Sequence, residues 1–134
     1  MILQNKSLND GGVLKVFEVK KCKYGRGIFA TRDIEKGELI HVAPVIISPK
    51  NEYKYLKKTI LMDYVFWWGE DCALALGYGS LFNHSYTPNA LYKLRKKKKT
   101  IDFFAYTDIK AGEEIKVNYN GDPDDDSEIW FEVL

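Results

Sequence analysis

The chain has 134 residues, of which 46% are hydrophobic and 29% are charged, an ordinary composition for one folded domain with its own core. The formal net charge of +1 argues against a protein that binds nucleic acid or an anionic membrane through its overall field. The apolar stretches are far too short to span a membrane, and the N-terminal residues lack the pattern of a secretory signal, so we expect neither.

Most of the chain is predicted to form short strands separated by turns, with few and short helices. The predicted strands are, in chain order, residues 13–19, 28–30, 39–47, 64–68, 90–94, 101–106 and 114–119. A glycine-containing turn is expected at residues 25–27, and Pro49 suits the first turn of a helix that runs to Lys58. The strands at residues 90–94 and 101–106 are expected to pair as a hairpin.

Two segments of the chain share one pattern. Residues 30–40 and 105–115 both read Ala-x-x-Asp-Ile-x-x-Gly-Glu-x-Ile. Each copy combines the exit from a strand, an apolar anchor at isoleucine, a glycine turn and the start of a new strand. Because two copies are too few for a solenoid, we predict two similar strand-turn-strand units that pack together.

Few side chains are suited to binding a metal ion. The cysteines, Cys22 and Cys72, are too few for a four-cysteine zinc site, and His41 and His84 lack metal-ligand spacing. We therefore expect no metal site and two free thiols in a reducing compartment.

Residues 25–27 read Gly-Arg-Gly, a pattern that allows close approach of the backbone to a ligand because glycine has no Cβ. Residues 83–89 read Asn-His-Ser-Tyr-Thr-Pro-Asn, and Tyr119 follows at the end of a predicted strand. Each piece alone also has a structural interpretation: a plain turn, a polar loop satisfied by backbone groups, and a packing tyrosine.

In this order, however, the segments resemble the SET domain, a family of lysine methyltransferases that use S-adenosylmethionine. The resemblance covers residues 13–131 of what we expect to be a single domain over residues 1–134. It implies a mainly β, β-clip fold with several short sheets, few short helices and a threaded, pseudoknot-like C-terminal segment. The chain is most similar to compact viral and bacterial members without zinc-binding clusters, since no cysteine follows Cys72.

The resemblance also implies the site residues. The implied cofactor-binding residues are Tyr24, Gly25, Arg26, Gly27, Asn83, His84, Tyr119 and Trp130. Tyr119 would also be catalytic and face the reacting methyl group, and Tyr64 and Tyr92 would line the channel for the substrate lysine. Trp130 is either a lid over the adenine or an anchor in the core, and Asn89 is expected to be a structural link.

The implied reaction transfers a methyl group from S-adenosylmethionine to a lysine ε-amine and leaves S-adenosylhomocysteine. Hydroxyls of Tyr64 and Tyr92 that bond the amine would restrict its rotation and favour few methylations. The substrate is expected to be a protein that presents a lysine, with a histone, a histone-like protein, a ribosomal protein or a host protein all open. The acidic residues 122–126 suggest a basic substrate tail. A monomer or homodimer is expected, in the cytoplasm of a prokaryote, with nuclear or host-targeted locations also open.

Other interpretations remain at this level. The lysine run at residues 96–99 fits a solvated hairpin tip, a contact with an acidic partner or nucleic acid, self-methylation or nuclear import. The chain as a whole also fits a non-catalytic SET-like binding module or a nucleic-acid-binding β-module. A β-clip sugar-binding or antifreeze-like module would need neither Asn83 and His84 nor Tyr119.

Overall fold

The computed structural model describes residues 15–23 and 25–124, which form two β-sheets linked by short helical turns, as the mainly β prediction requires. The strands are β1 (Phe17–Cys22), β2 (Gly25–Ala30), β3 (Leu39–Ser48), β4 (Val65–Trp68), β5 (Asp71–Ala75), β6 (Asn83–His84), β7 (Ala90–Arg95), β8 (Thr100–Ala105) and β9 (Glu114–Val117). The helix α1 (Tyr53–Leu56) is short, and 3₁₀ turns lie at Lys50–Glu52, Ile60–Asp63 and Gly79–Leu81.

The two sheets have different topologies. The larger sheet has the strand order β4-β5-β3-β8-β7 and is antiparallel throughout. In the smaller sheet, of order β1-β2-β9-β6, the last pair is parallel and places Asn83 beside Lys116 and His84 beside Val117. This parallel pair brings the polar segment at residues 83–89 next to the strand that leads to Tyr119.

Several predicted elements are confirmed, and others differ from the prediction in type or in length. The strand at residues 39–47 and the hairpin formed by residues 90–94 and 101–106 are observed with boundaries that differ by one residue. The predicted turn at residues 25–27 is instead part of β2, in which Gly27 pairs with Lys20. Gly25 starts this strand with a φ of +107°, so one glycine completes the turn that precedes the strand.

The helix expected from Pro49 to Lys58 is broken into the 3₁₀ turn and α1 and ends at Leu56, with Lys57 as its C-cap. The first predicted strand begins at Phe17, and residues 13 and 14 lie outside the described residues. The last predicted strand ends at Val117, because the backbone then turns so that Asn118 accepts a hydrogen bond from the Gly121 N–H.

One hydrophobic core joins the two sheets and contains Phe17, Ile28, Phe82, Phe103 and Ile115, all at most 2% exposed. The two copies of the repeated pattern pack against each other through a bridge between Ile34 and Ile109, as predicted. Among the described residues, no helix is long and apolar enough to cross a membrane.

Candidate functional site

Two neighbouring cavities share part of their lining. The first, here called the aromatic cavity, has a volume of about 540 Å³, and its lining includes Tyr64, Phe66, Trp67, Phe82, Tyr92 and Tyr119. The second, here called the polar cleft, has a volume of about 590 Å³, and its lining includes Lys21, Gly25, Arg26, Asn83 and Tyr119. Both are lined by Asp63, Tyr64, Ser80 and Tyr119. The tyrosines at positions 64 and 119 therefore lie where the two spaces meet.

Tyr119 is held at this junction by its backbone and by its hydroxyl. Its N–H donates to Nδ1 of His84 at 3.0 Å, and its hydroxyl donates to the carbonyl oxygen of Phe82 at 2.6 Å. Burial raises the pKa of Tyr119 well above the ordinary value of a phenol. The side chain is therefore neutral at physiological pH, and its hydroxyl proton points towards a carbonyl group.

Tyr92 is oriented in the same way. Its hydroxyl donates to the carbonyl oxygen of Tyr119 at 3.2 Å, its ring packs edge-on against Phe66, and burial raises its pKa to about 12. Because the hydroxyl protons of Tyr92 and Tyr119 are both engaged with backbone carbonyls, each oxygen can only accept a further hydrogen bond. Two acceptors in an aromatic cavity suit a ligand that carries N–H donors, such as an amine.

Tyr64 lies at the opening, where it is 40% exposed and lines both cavities. Its carbonyl oxygen accepts a hydrogen bond from Oγ of Ser80 at 3.1 Å, and the same hydroxyl lies 3.1 Å from the carbonyl oxygen of Ala75. Ser80 therefore ties the loop that carries Tyr64 to the end of β5. The structure brings all three predicted catalytic tyrosines to one cavity.

Asn83 faces the polar cleft with a defined amide orientation. Its Nδ2 lies 3.0 Å from the carbonyl oxygen of Arg26 and 2.7 Å from Oε2 of Glu114. Two acceptors on the same side identify that atom as the amide nitrogen. The amide oxygen is thereby left to accept a hydrogen bond from a ligand in the cleft.

His84 is buried next to Asn83, and burial lowers its pKa, so the imidazole is neutral. Because Nδ1 accepts from the N–H of Tyr119, the ring proton belongs on Nε2. Among the described residues, this Nε2 has no hydrogen-bond partner although it is buried. A buried donor without a partner is costly, so this atom is suited to a polar ligand group.

The glycine-containing segment is divided between two roles. Gly25 and Arg26 line the polar cleft. At Gly27, in contrast, any Cβ would collide with Oε2 of Glu114 and Nδ2 of Asn83. Glycine at this position therefore lets the Asn83–Glu114 pair pack against β2. Two other predicted cofactor-binding residues, Tyr24 and Trp130, lie outside the described residues.

Three further observations complete the site. Glu114, which holds Asn83, was not identified from the sequence, where it occupies a variable position of the repeated pattern, next to the shared Glu113. Asn89 bridges two backbone groups of β9, the Glu114 carbonyl and the Lys116 N–H, which confirms its structural role. Within residues 15–23 and 25–124, no three His, Cys, Asp or Glu side chains are grouped as metal ligands would be.

Comparisons with known proteins agree with this geometry. A family model described as the SET domain matches residues 25–120. The chain is similar to a histone-lysine N-methyltransferase of Schizosaccharomyces pombe that is specific for lysine 37 of histone H3, with 36% identity over 110 residues. That match covers 81% of this chain and 71% of the relative.

Two solved structures extend the similarity to the fold. One is a Plasmodium falciparum protein named as a candidate histone methyltransferase, with a TM-score of 0.64 and 28% identity over 80% of this chain and 95% of that one. The other is Polycomb Repressive Complex 2 of Chaetomium thermophilum bound to S-adenosylmethionine, with a TM-score of 0.66 and 26% identity. This match covers 81% of our chain and 15% of the matched chain of the complex.

Proposed function

Because this chain belongs to the SET domain family and is a protein-lysine methyltransferase, we propose that it binds S-adenosylmethionine in the polar cleft and methylates a histone lysine through the aromatic cavity. One observation carries the proposal: Tyr119 lines both cavities, so a group in the cleft and a group in the aromatic cavity can meet at its side chain.

The residues of the polar cleft fit the amino-acid part and the base of this cofactor. The amide oxygen of Asn83 suits the α-ammonium, because its nitrogen is engaged with Arg26 and Glu114. The backbone at Gly25 is accessible to the carboxylate, since no side chain shields it. The buried Nε2 of His84 suits an acceptor on the cofactor. When bound, the cofactor supplies an electrophilic methyl group on a sulfonium.

The aromatic cavity prepares the substrate lysine for attack. At a reference pKa near 10.4, only about one lysine in a thousand is neutral at pH 7.4. Burial among Phe66, Tyr92 and Tyr119 disfavours the ammonium by desolvation and so lowers the pKa of the incoming amine. The proton leaves to water before the amine is fully enclosed. The lone pair of the neutral amine would then be available to the electrophilic methyl group of the bound cofactor.

Tyr92 and Tyr119 orient the amine during this step. Both hydroxyl oxygens accept hydrogen bonds from its N–H groups, because their own protons point towards the carbonyls of Tyr119 and Phe82. A positioned nucleophile gains much of the rate acceleration through proximity alone. Held by two acceptors, the amine has little freedom to rotate, which favours the addition of few methyl groups.

A histone is the proposed substrate for two reasons. The Schizosaccharomyces pombe relative acts on histone H3, and a structure of the similar Polycomb complex contains methylated histone H3 sequence. In addition, Asp63 lines both cavities, and Asp122 follows Gly121 at the wall of the aromatic cavity. Acidic groups at this opening favour a basic peptide.

Calorimetric titration of S-adenosylmethionine and S-adenosylhomocysteine tests the cofactor site, with Asn83→Ala and Tyr119→Phe in parallel. We expect micromolar binding that is lost in Asn83→Ala and retained in Tyr119→Phe. Transfer of labelled methyl groups to histone H3, against H3 with its lysines changed to arginine, tests the substrate. Labelling of the arginine version, or none of either, would contradict the proposed substrate.

A further inference from the structure

The connection between β7 and β8 concentrates positive charge at one end of the larger sheet. Residues 95–99 read Arg-Lys-Lys-Lys-Lys, and all five side chains are exposed. We call this segment the basic tip. It is a tight connection that ends at Lys99, whose φ of +55° is in the left-handed region. The five cations therefore protrude together from the sheet.

The charge of the basic tip is only partly compensated by its surroundings. Nε of Arg95 lies 3.1 Å from Oδ2 of Asp102, so this cation pairs within the hairpin. Within residues 15–23 and 25–124, no carboxylate oxygen lies within 4 Å of the ammonium groups of residues 96–99. These four adjacent cations, unpaired among the described residues, create a local positive field, although the chain as a whole has a net charge of only +1.

The side chains at the base of the tip favour phosphates over bases as the ligand. Nζ of Lys96 lies 4.8 Å above the ring of Trp68, which is 8% exposed, and Nζ of Lys93 lies 5.4 Å from the ring of Phe104. These two aromatic rings are thus covered by cations and offer no platform on which single-stranded bases could stack. Lysine ammoniums are point charges that contact phosphates without reading sequence.

The tip also lies close to the cavity that receives the lysine. Leu94, the residue immediately before the tip, lines the aromatic cavity together with Tyr92 of the same strand. At about 3.3 Å per residue, the five residues of the tip remain within roughly 17 Å of that wall. A polyanion bound at the tip would therefore lie next to the entering substrate.

We propose that the basic tip binds the phosphate backbone of double-stranded DNA and holds it beside the aromatic cavity. Duplex DNA is favoured over an extended acidic protein segment because it carries one negative charge per roughly 1.7 Å of its axis, about twice the charge density of a chain with one carboxylate per roughly 3.3 Å. DNA held at the tip would bring a histone that is associated with it to the aromatic cavity, and this part of the inference rests on the proposed function. The binding of DNA itself does not depend on the proposed function.

The test measures binding of a labelled duplex of about 20 base pairs by fluorescence anisotropy. Three proteins are compared: wild type, the tip variant Lys97→Glu/Lys98→Glu and the control variant Lys57→Glu/Lys58→Glu. The control changes the same charge at another exposed lysine pair. With about three phosphates neutralised, log K should fall with log salt with a slope near −3, and the tip variant should bind at least about tenfold more weakly with a shallower slope. The control variant should stay within about twofold of wild type.

Three results would overturn the proposal: salt-independent binding by wild type, unchanged binding by the tip variant, or equal weakening by the tip and control variants. A polyglutamate competitor distinguishes DNA from an acidic protein as the partner. If polyglutamate displaces the labelled duplex at a lower concentration of negative charge than unlabelled duplex does, the tip binds an acidic protein. Thermal unfolding of each variant checks that it is folded.

Methylation assays then separate this inference from the proposed function. The tip variant should lose several-fold activity on nucleosomes and retain wild-type activity on free histone H3. Equal activity of the variant and wild type on nucleosomes would refute the docking role. If wild type methylates neither substrate, the proposed function is wrong, while the duplex-binding result stands on its own.

Discussion

Ile34 and Ile109 exchange two backbone hydrogen bonds of 2.8 Å, the N–H of each donating to the carbonyl oxygen of the other, and both residues are 1% exposed. They occupy the same position in the two copies of the repeated pattern. The reciprocal pair therefore relates the two copies at the centre of the core and links the connection after β2 to the connection after β8.

The aspartates of the pattern are reciprocal as well. Oδ1 of Asp33 accepts the N–H of Ala111, and Oδ1 of Asp108 accepts the N–H of Lys36, each at 2.9 Å. Each copy thus fixes the turn of the other. Because one of these turns leads directly into β9, the repeat sets the position of the strand that ends before Tyr119.

Truncation of either isoleucine of this pair should destabilise the protein strongly. Ile34→Ala and Ile109→Ala should each lower the free energy of unfolding by about 2–5 kcal/mol, because each leaves a cavity in the core. Urea denaturation measures the change. The control Ile46→Ala removes a side chain that is 55% exposed and should cost less than about 1 kcal/mol. Equal effects at positions 34 and 46 would contradict the central place of the pair.

Replacement of Tyr119 by phenylalanine should separate cofactor binding from turnover. The hydroxyl orients the amine but is not needed to hold the amino-acid part of the cofactor. We expect kcat to fall about a hundredfold or more, as for other oriented groups at a reacting centre, with little change in cofactor affinity. Single-turnover methyl transfer measures the rate of the chemical step, and calorimetry measures the affinity for the cofactor. A variant with wild-type kcat would exclude a catalytic role of this hydroxyl.

Glu114 should act as a positioning residue for Asn83. In Glu114→Ala the amide loses a hydrogen bond to a carboxylate, worth about 1.5 kcal/mol, so cofactor affinity should fall roughly tenfold. Glu114→Gln is the matched control, because its amide oxygen can still accept from Nδ2 of Asn83. Calorimetry should show near-wild-type affinity for the glutamine variant and unchanged kcat at saturating cofactor for both. An alanine variant with wild-type affinity would argue against this role.

Tyr92 should contribute to loss of stability in alkaline solution. Its pKa is about 12 in the folded protein and 10 in the unfolded chain. The contribution of the neutral phenol to the free energy of unfolding is therefore fully present below pH 10 and is lost as the pH rises to 12. By pH 11 the loss amounts to about 1.4 kcal/mol. Urea denaturation at pH 9 and pH 11 should show that wild type loses this much more stability than Tyr92→Phe. Parallel losses in the two proteins would contradict the burial of the phenol.

The acidic residues that follow Gly121 should raise affinity for basic substrates. Asp122 and Asp124 are exposed, and their reversal in Asp122→Lys/Asp124→Lys should raise KM for a basic histone peptide about threefold to tenfold. The effect should weaken with salt, because exposed charges are screened. Steady-state kinetics at two salt concentrations measures KM for the peptide. An unchanged KM at low salt would contradict a role of these aspartates in substrate binding.

The sequence by itself determined the family, most strands of the described residues except β5 and β6, and six of the residues that line the two cavities: Tyr64, Tyr92, Tyr119, Gly25, Arg26 and Asn83. The hairpin of β7 and β8 follows from local alternation and turn residues, and the packing of the repeat follows from two copies of one pattern. Spacing along the chain is enough for these features, because each depends on neighbours in sequence or on a motif of fixed length.

Only the tertiary structure decided how these side chains are oriented. The turn expected at residues 25–27 is a strand, because these residues pair with β1. Residue 27 is glycine because Asn83 and Glu114 from two other strands leave no room for a Cβ. The acceptor role of Tyr92 likewise depends on the carbonyl of Tyr119, which is distant in sequence. Such contacts are made by residues that meet only when the sheets pack, so no local pattern in the sequence specifies them.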